Sequence, residues 1–262
     1  MKKIRIIIIL SAFTMALYSC TKTITPPLNN VSQLVIEGVV SDTTGPYHVN
    51  ISKTSSLYAD NVYPTVSGAT VVITDMTSNL TDVLTEAAPG DYVTHSITGI
   101  DGHSYQMKVT LDGKTYVSVS TMPMLVKLDS VGVDYDVTNN TRPIADFQDP
   151  VQKNYYKFSM TRNGVHVNHF QTFDDRLSDG RYIRESLDCD TGTFHRGDLV
   201  QVDLVGLDAG AFNFLKEAEA VAYNNANLAS PATPTSNISG GCIGYFSAQT
   251  VSSKTTTIKL GR

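Results

Sequence analysis

Cysteine is scarce in this sequence, with only three among 262 residues, and long alanine-, glutamate-, lysine- and leucine-rich stretches are few. The second scarcity disfavours a mainly helical protein. The chain also lacks a Gly-x-Ser-x-Gly elbow, a His-Glu-x-x-His motif, a phosphate-binding glycine loop and a Cys-x-x-Cys pair. These absences exclude the most recognisable hydrolases, zinc proteases, nucleotide-binding proteins and thiol oxidoreductases.

No metal or cofactor is predicted from the remaining polar residues. His166 and His169 stand three residues apart in a strand-like segment, where side-chain alternation places them on opposite faces. The segment FDDRLSDG, residues 173–180, carries three aspartates but lacks the alternating oxygen ligands of a calcium loop. We therefore interpret the histidines as surface residues and the aspartates as part of a solvated turn.

The N-terminus, MKKIRIIIILSAFTMALYSC, has the organisation of a bacterial export sequence. Basic residues precede an apolar run of about a dozen residues, which is short of the roughly 20 needed to span a bilayer. Leu17-Tyr18-Ser19-Cys20 resembles a lipobox, in which the cysteine thiol accepts a diacylglycerol. The sequence therefore predicts a lipoprotein signal peptide over residues 1–19 and a lipid- and palmitate-bearing Cys20. Ordinary secretion is the alternative.

Residues 20–31 are predicted to form the lipidated cysteine and an extended tether, because Pro26-Pro27 interrupts a segment without amphipathic pattern. More than one acyl chain on Cys20 gives stable anchoring, here expected in the outer membrane. Beyond residue 19 the chain has 17 basic and 25 acidic residues, a net charge of −8. This charge makes nucleic acid and anionic headgroups poor partners.

Thr, Val, Ser and Tyr dominate the rest of the chain, which favours a mainly β protein. Residues 32–122 contain about seven short strand-like runs between turn residues, as in an immunoglobulin-like or transthyretin-like β-sandwich. Met122-Pro123 breaks this pattern. We therefore expect an independently folding sandwich over 32–122 and a second β-rich domain over 123–262. The second domain has one predicted helix at about 209–224, capped by Asp208.

A hairpin around Asp112-Gly113 is the best-defined local prediction. A loop of three residues, Leu111 to Gly113, would place Val117 and Val119 on the apolar face of the preceding strand. A two-residue loop would place them opposite polar side chains instead. We therefore expect the three-residue loop, with Gly113 in a left-handed conformation at a bulge.

Cys189 and Cys242 are the cysteines that remain once Cys20 is lipidated. Outside the inner membrane such a pair can oxidise, and a bridge would close a long loop. Two buried thiols explain the same residues equally well. The sequence leaves both interpretations open.

The chain resembles a family of outer-membrane lipoproteins of Bacteroidota-type bacteria, the domain of unknown function 4249 (DUF4249). The order of several short segments along nearly the whole chain carries the resemblance: LVIEG from Leu34, GPY from Gly45 with VNIS, VSGATVVITD after Pro64, GKTY from Gly113 before Met122-Pro123, and SPATPTSNISGGCIGYFSA from Ser230. The family implies a two-part β-rich lipoprotein, often encoded near TonB-dependent receptors. In the family the position of Cys242 is generally small and apolar, which argues against a disulfide.

These observations predict a non-catalytic binding or accessory module beside a TonB-dependent outer-membrane receptor in nutrient uptake, by analogy with the family. A hydrolase of glycans or peptides with a non-standard site is the second hypothesis. A structural or adhesive envelope protein is the third. The segment TKTIT after Cys20 lacks the acidic residues of a surface-export sequence, so the periplasmic and surface orientations both stay open.

Overall fold

The computed structural model describes residues 32–55, 63–135, 141–189, 194–223 and 233–259. The predicted signal peptide, Cys20 and the tether lie outside these segments. The strands of the described part are β1 (Leu34–Ser41), β2 (His48–Lys53), β3 (Thr70–Asp75), β4 (Leu80–Val83), β5 (Thr85–Ala88), β6 (Asp91–Val93), β7 (Ser104–Leu111), β8 (Lys114–Thr121), β9 (Leu128–Tyr135), β10 (Thr141–Gln148), β11 (Tyr155–Arg162), β12 (Val165–Asp174), β13 (Tyr182–Ser186), β14 (Leu199–Leu207) and β15 (Ile243–Thr257). Its helix is α1 (Ala209–Tyr223). No helix within the described ranges is both long and apolar enough to cross a membrane.

The strands form three sheets, which confirms the prediction of a mainly β protein with a helix near its C-terminal end. The largest sheet has eight strands in the order β12-β11-β14-β15-β1-β2-β6-β5. A four-stranded sheet, β4-β3-β7-β8, and a three-stranded sheet, β13-β10-β9, complete the strand pairing of the described segments.

Each small sheet shares a separate hydrophobic core with one half of the large sheet. The first core packs the four-stranded sheet against the β1 and β2 end, with Ile36, Val49, Ile51, Tyr105, Met107 and Phe246 among its buried residues. The second core packs the three-stranded sheet against the β11 and β14 end, with Phe147, Tyr156, Phe158, Val202 and Leu204. The chain therefore builds two β-sandwiches, as the fold prediction requires.

Strand β15 belongs to both sandwiches. Its first half, Ile243 to Gln249, pairs in parallel with β1, and its second half, from Thr250, pairs antiparallel with β14. Ile238, Phe246 and Ala248 consequently lie in the core of the first sandwich, far in sequence from residues 32–122. Independent folding of 32–122 stays a prediction, and this core includes side chains which that segment does not contain.

The β7–β8 hairpin differs from its predicted register. Leu111 pairs with Lys114, so the loop has two residues, and Asp112 and Gly113 both have positive φ, at 48° and 74°. This is the primed turn whose twist matches the strands. Gly113 is left-handed as predicted, but the three-residue loop was wrong, and Val119 is 49% exposed.

The reason for this register is a polar contact across the core edge. Ser118 and Ser120, together with Tyr116, are the buried side chains of β8, and the two valines are not. Ser118 Oγ donates to the main-chain oxygen of Asn237 at 2.8 Å. Ser120 Oγ donates to Asp208 and accepts from the Ala248 N–H at 2.8 Å. The alternation of apolar and polar residues along β8 did not decide the register, because these serines have hydrogen-bond partners that are distant in sequence.

Helix α1 begins and ends within a residue of its predicted range. Asp208 caps it as expected, since its Oδ1 accepts from the Ala211 N–H at 2.8 Å. Phe212, Phe214 and Leu215 are buried against the large sheet. The helix therefore covers part of the sheet face that points away from the two sandwich cores.

The two described cysteines do not form a disulfide. Cys242 lies in the first core, whereas Cys189 packs against the second, where its Sγ is 3.8 Å from the main-chain oxygen of Thr141. Of the two interpretations that the sequence left open, the structure shows separate thiols.

Candidate functional site

A groove of about 560 Å³ lies on the outer face of the large sheet, where β1 ends and β15 changes its pairing partner. β1, β2, β14 and β15 form its floor, and the loop after β1 forms a wall that includes Tyr47. Its amide, imidazole and carboxylate side chains are Glu37, His48, Asn50, Gln201, Asp203 and Gln249. No lysine or arginine lines it.

Strand alternation explains why polar side chains gather on this face. In β1, Ile36, Gly38 and Val40 are buried and Glu37 points the other way. In β14, Val202 and Leu204 enter the second core, which leaves Asp203 on the groove face. The two sandwiches share one sheet, so their outward faces form a continuous surface.

Of the two groove carboxylates, Glu37 is the one without a partner among the described residues. Its side chain makes no hydrogen bond or ion pair with any described residue. In register it lies opposite Asn50 of β2 on one side and Tyr245 of β15 on the other. Glu37 is an exposed residue, but the surrounding groove partly desolvates its carboxylate, and this raises its pKa.

Asp203, by contrast, is well connected. Its Oδ1 accepts from Gln201 Nε2 at 2.8 Å and from Ser253 Oγ at 2.6 Å. Burial lowers the pKa of nearby Lys157, and the negative charge of Asp203 acts in the opposite direction. Asp203 is therefore held by hydrogen bonds and lies near a lysine, whereas Glu37 has neither kind of partner among the described residues.

Tyr245 provides the aromatic part of the groove. Its ring stacks on Phe214 of α1, with ring centres 5.2 Å apart, so the helix fixes its position. Burial, with a smaller contribution from Glu37, raises the pKa of Tyr245 to about 12. Two residues further along β15, Ser247 is fully buried and its Oγ has no hydrogen-bond partner.

The aspartate segment is not the solvated turn predicted from the sequence. Asp175 is only 1% exposed, and together with Asp149 and Asp179 it brings three carboxylates within 4.8 Å of one another. Oxygen ligands of this kind suit Ca²⁺ or Mg²⁺. Each carboxylate also accepts a main-chain N–H from a neighbouring turn: Asp149 from Gly180, Asp175 from Asn154 and Asp179 from Gln152. These bonds account for the cluster as a structural element.

His166 and His169 do not join that group or another group of three metal-ligand side chains in the described ranges. His169 stacks on Tyr223 of α1, with ring centres 4.1 Å apart. The β11–β12 ladder is irregular between Ser159 and Thr161, opposite these histidines, so simple alternation does not hold there. Nothing in this arrangement requires a role beyond packing.

A hydroxyl–imidazole pair lies away from the groove, on the exposed edge strand β5, where Thr85 Oγ1 is 2.9 Å from His95 Nε2. His48, at the groove, is 2.8 Å from Asp91. The groove hydroxyls bond elsewhere, with Ser41 Oγ donating to Asp42 at 3.3 Å. The groove therefore has no hydroxyl hydrogen-bonded to a histidine base among its described residues.

Sequence reasoning did not find the groove, since its residues come from strands up to about 200 positions apart in the chain. The one local indication was Glu37, a carboxylate within the apolar run LVIEGVV. In an alternating strand such a residue is ordinarily a solvent-facing position, so it did not stand out.

Comparison with known proteins supports the resemblance noted from the sequence. No curated protein is similar enough to this chain to count as a match. The sequence model of a family described as a domain of unknown function, DUF4249, matches residues 21–255. The match covers most of the chain and both sandwiches, and the protein therefore belongs to the DUF4249 family.

Proposed function

We propose that this protein is a non-catalytic binding module of the cell envelope and that the groove is its binding surface. The observation that carries the proposal is the unpartnered Glu37 carboxylate in a concave, polar part of the sheet. A carboxylate that loses water without gaining a partner costs folding free energy. Groups with this property concentrate at functional sites, because binding needs them more than folding does.

The composition of the groove fits recognition rather than chemistry. Asn50, Gln201 and Gln249 present amide groups that both donate and accept hydrogen bonds. Tyr245 adds an aromatic surface held by α1. A few polar groups around an aromatic side chain are typical of a ligand pocket. The hydrolase hypothesis in its hydroxyl-nucleophile form would require a hydroxyl bonded to a histidine base, and the described groove residues contain no such pair.

The cellular setting of the module is part of the same proposal. Lipid on Cys20 would hold it at the outer membrane, and the short tether would keep the sandwiches close to that surface. A TonB-dependent receptor is the proposed partner, on the basis of the family resemblance. Confinement of both proteins to one membrane raises their effective concentration, so a weak contact suffices.

Recovery of the tagged protein from gently solubilised outer membranes tests this function. We expect a TonB-dependent receptor to be recovered with the wild type and lost with Glu37→Lys, which reverses the charge at position 37. Asp129→Lys is the matched control, since Asp129 is an exposed carboxylate on β9, away from the groove. Recovery of the lipoprotein alone, together with turnover of a glycan or peptide by the purified protein, would favour the hydrolase.

A further inference from the structure

We propose that the groove binds its ligand through an ammonium group, either of a free amine or of a lysine side chain, which pairs with Glu37 beside the ring of Tyr245. This inference rests on the proposed binding function and specifies its ligand. It follows from the charge of the groove, the register of the two strands and the unpartnered carboxylate of Glu37.

The charge of the groove selects the sign of the ligand. Two carboxylates line it and no lysine or arginine does, so an anionic group would meet repulsion without a compensating cation. Asp203 already accepts hydrogen bonds from Gln201 and Ser253, which leaves Glu37 as the groove carboxylate without a partner among the described residues. A buried or partly buried charge is stabilised when an opposite charge hydrogen-bonds to it. The ligand group that Glu37 lacks is therefore a cation with N–H donors.

The register places an aromatic ring next to that carboxylate. Glu37 and Tyr245 are direct neighbours across the parallel β1–β15 pair, and adjacent strands are about 4.8 Å apart. A cation held by Glu37 consequently lies within reach of the ring face, where cation–π attraction adds to the ion pair. Phe214 stacks on Tyr245 and keeps the ring in place before a ligand arrives.

Calorimetry on the detergent-solubilised mature protein tests the inference with matched probes. Nα-acetyl-lysinamide presents a peptide-borne ammonium group, and Nα-acetyl-norleucinamide has the same shape without the charge. Spermidine represents a free amine, and glucose a neutral polyol. We expect lysinamide or spermidine to bind, and norleucinamide and glucose not to bind. Stronger binding of lysinamide would identify a lysine side chain as the source of the ammonium group, and stronger binding of spermidine would identify a free amine.

The variants then assign the binding to Glu37. Glu37→Gln should weaken amine binding by roughly tenfold or more, the size expected when a hydrogen bond to a charged group is lost. Asp129→Asn removes one carboxylate elsewhere and should leave the affinity unchanged. Circular dichroism of both variants checks that they are folded.

Several results would overturn the amine inference: equal binding of norleucinamide, preferential binding of glucose, no binding of any probe, or full affinity in Glu37→Gln. The binding function itself would survive these results as long as Glu37→Lys still prevents recovery of the receptor. If that variant also recovers the receptor normally, both proposals fail. The two failures are therefore distinguishable.

Discussion

Asn237 pairs with the main chain of Phe246 through both ends of its side-chain amide. Its Nδ2 donates to the Phe246 oxygen at 2.8 Å, and its Oδ1 accepts from the Phe246 N–H at 2.9 Å. The amide thus takes the place of a neighbouring strand along the first half of β15, where β14 has already ended. Ser236 continues this edge by donating to the Gly244 oxygen at 2.8 Å.

Asn237→Ala should lower the free energy of unfolding by roughly 2–4 kcal/mol, because a buried N–H and a buried carbonyl lose their partner together. Urea unfolding measures the change. Asn168→Ala is the control, since Asn168 is exposed on β12 and should change stability little. Equal effects of the two variants would show that the pairing with Phe246 does not stabilise β15.

Secondary-structure elements that depend on residues close together in the chain were predictable from the sequence. Helix α1 was located because its cap, Asp208, and its apolar face lie within one short segment. The mainly β character followed from composition. By contrast, the parallel pairing of β1 with β15 joins residues about 200 positions apart, and no local pattern specifies such a partner.

The two wrong predictions, of the β7–β8 register and of the aspartate segment, also involve contacts between residues that are distant in the chain. The β7–β8 register was wrong because Ser118 and Ser120 point inward to partners on the 236–248 segment and at Asp208. The prediction of a solvated turn at the aspartate segment was wrong because burial of Asp175 depends on Asn154 and Asp149, which belong to other turns. Polar side chains are hardest to place from sequence where distant main-chain groups satisfy them.

The shared strand leads to a prediction about fragments. Residues 32–122 alone should fail to melt cooperatively, because their core lacks Phe246 and Ala248 and the β1 edge loses its parallel partner. Joining residues 233–249 to the fragment through a flexible linker should restore cooperative melting, followed by circular dichroism. The same fusion with Phe246→Asp should not melt cooperatively. Cooperative melting of 32–122 by itself would contradict this expectation and support an independent domain.

Glu37→Gln should make the protein more stable at neutral pH, by about 0.5 kcal/mol, since solvent reaches part of the side chain and screens the penalty. The folded-state pKa of Glu37 lies above its ordinary value of 4.5, so ionisation in the folded protein is unfavourable. The gain should therefore appear as pH rises above that value and vanish below it, where the carboxyl is protonated in both states. Position 37 faces His48, Asp203 and Tyr245 in the wild type and in Glu37→Gln alike. The difference in stability between the two proteins therefore reports on Glu37 itself.

Glu86 provides a control of opposite sign for that measurement. Hydrogen bonds from Ser67 and from the Gly90 main chain lower its pKa, so its ionised form favours the folded state. Glu86→Gln should consequently reduce stability above the ordinary pKa, and the loss should disappear in acid. Thermal melts of both variants from pH 3.5 to 7.5, in steps of about one unit, measure the two trends. Parallel trends would contradict the role given to burial of Glu37.

Cys242 should resist alkylation in the folded protein. Burial raises the pKa of its thiol to about 11, from an ordinary 9.0, which leaves roughly a hundredfold less thiolate at pH 8. In a Cys189→Ser variant beginning at residue 21, iodoacetamide should label Cys242 slowly in buffer and rapidly in urea, as mass spectrometry can follow. In the wild type, a disulfide-bonded mass before reduction would contradict the separate thiols seen in the structure.

Cys20 should carry the lipid that anchors the protein. The apolar run before it is too short to span a bilayer, and Leu17 and Ser19 stand where a lipobox has an apolar and a small residue. Radiolabelled palmitate should enter the wild type and not Cys20→Ser, and fractionation should place the wild type in the outer membrane and the variant in the soluble fraction. Cys189→Ser is the matched control and should label like the wild type, since Cys189 packs against the second core. Equal palmitate incorporation by Cys20→Ser would rule out Cys20 as the acceptor, and absence of label from every form would leave ordinary secretion as the explanation of the N-terminal segment.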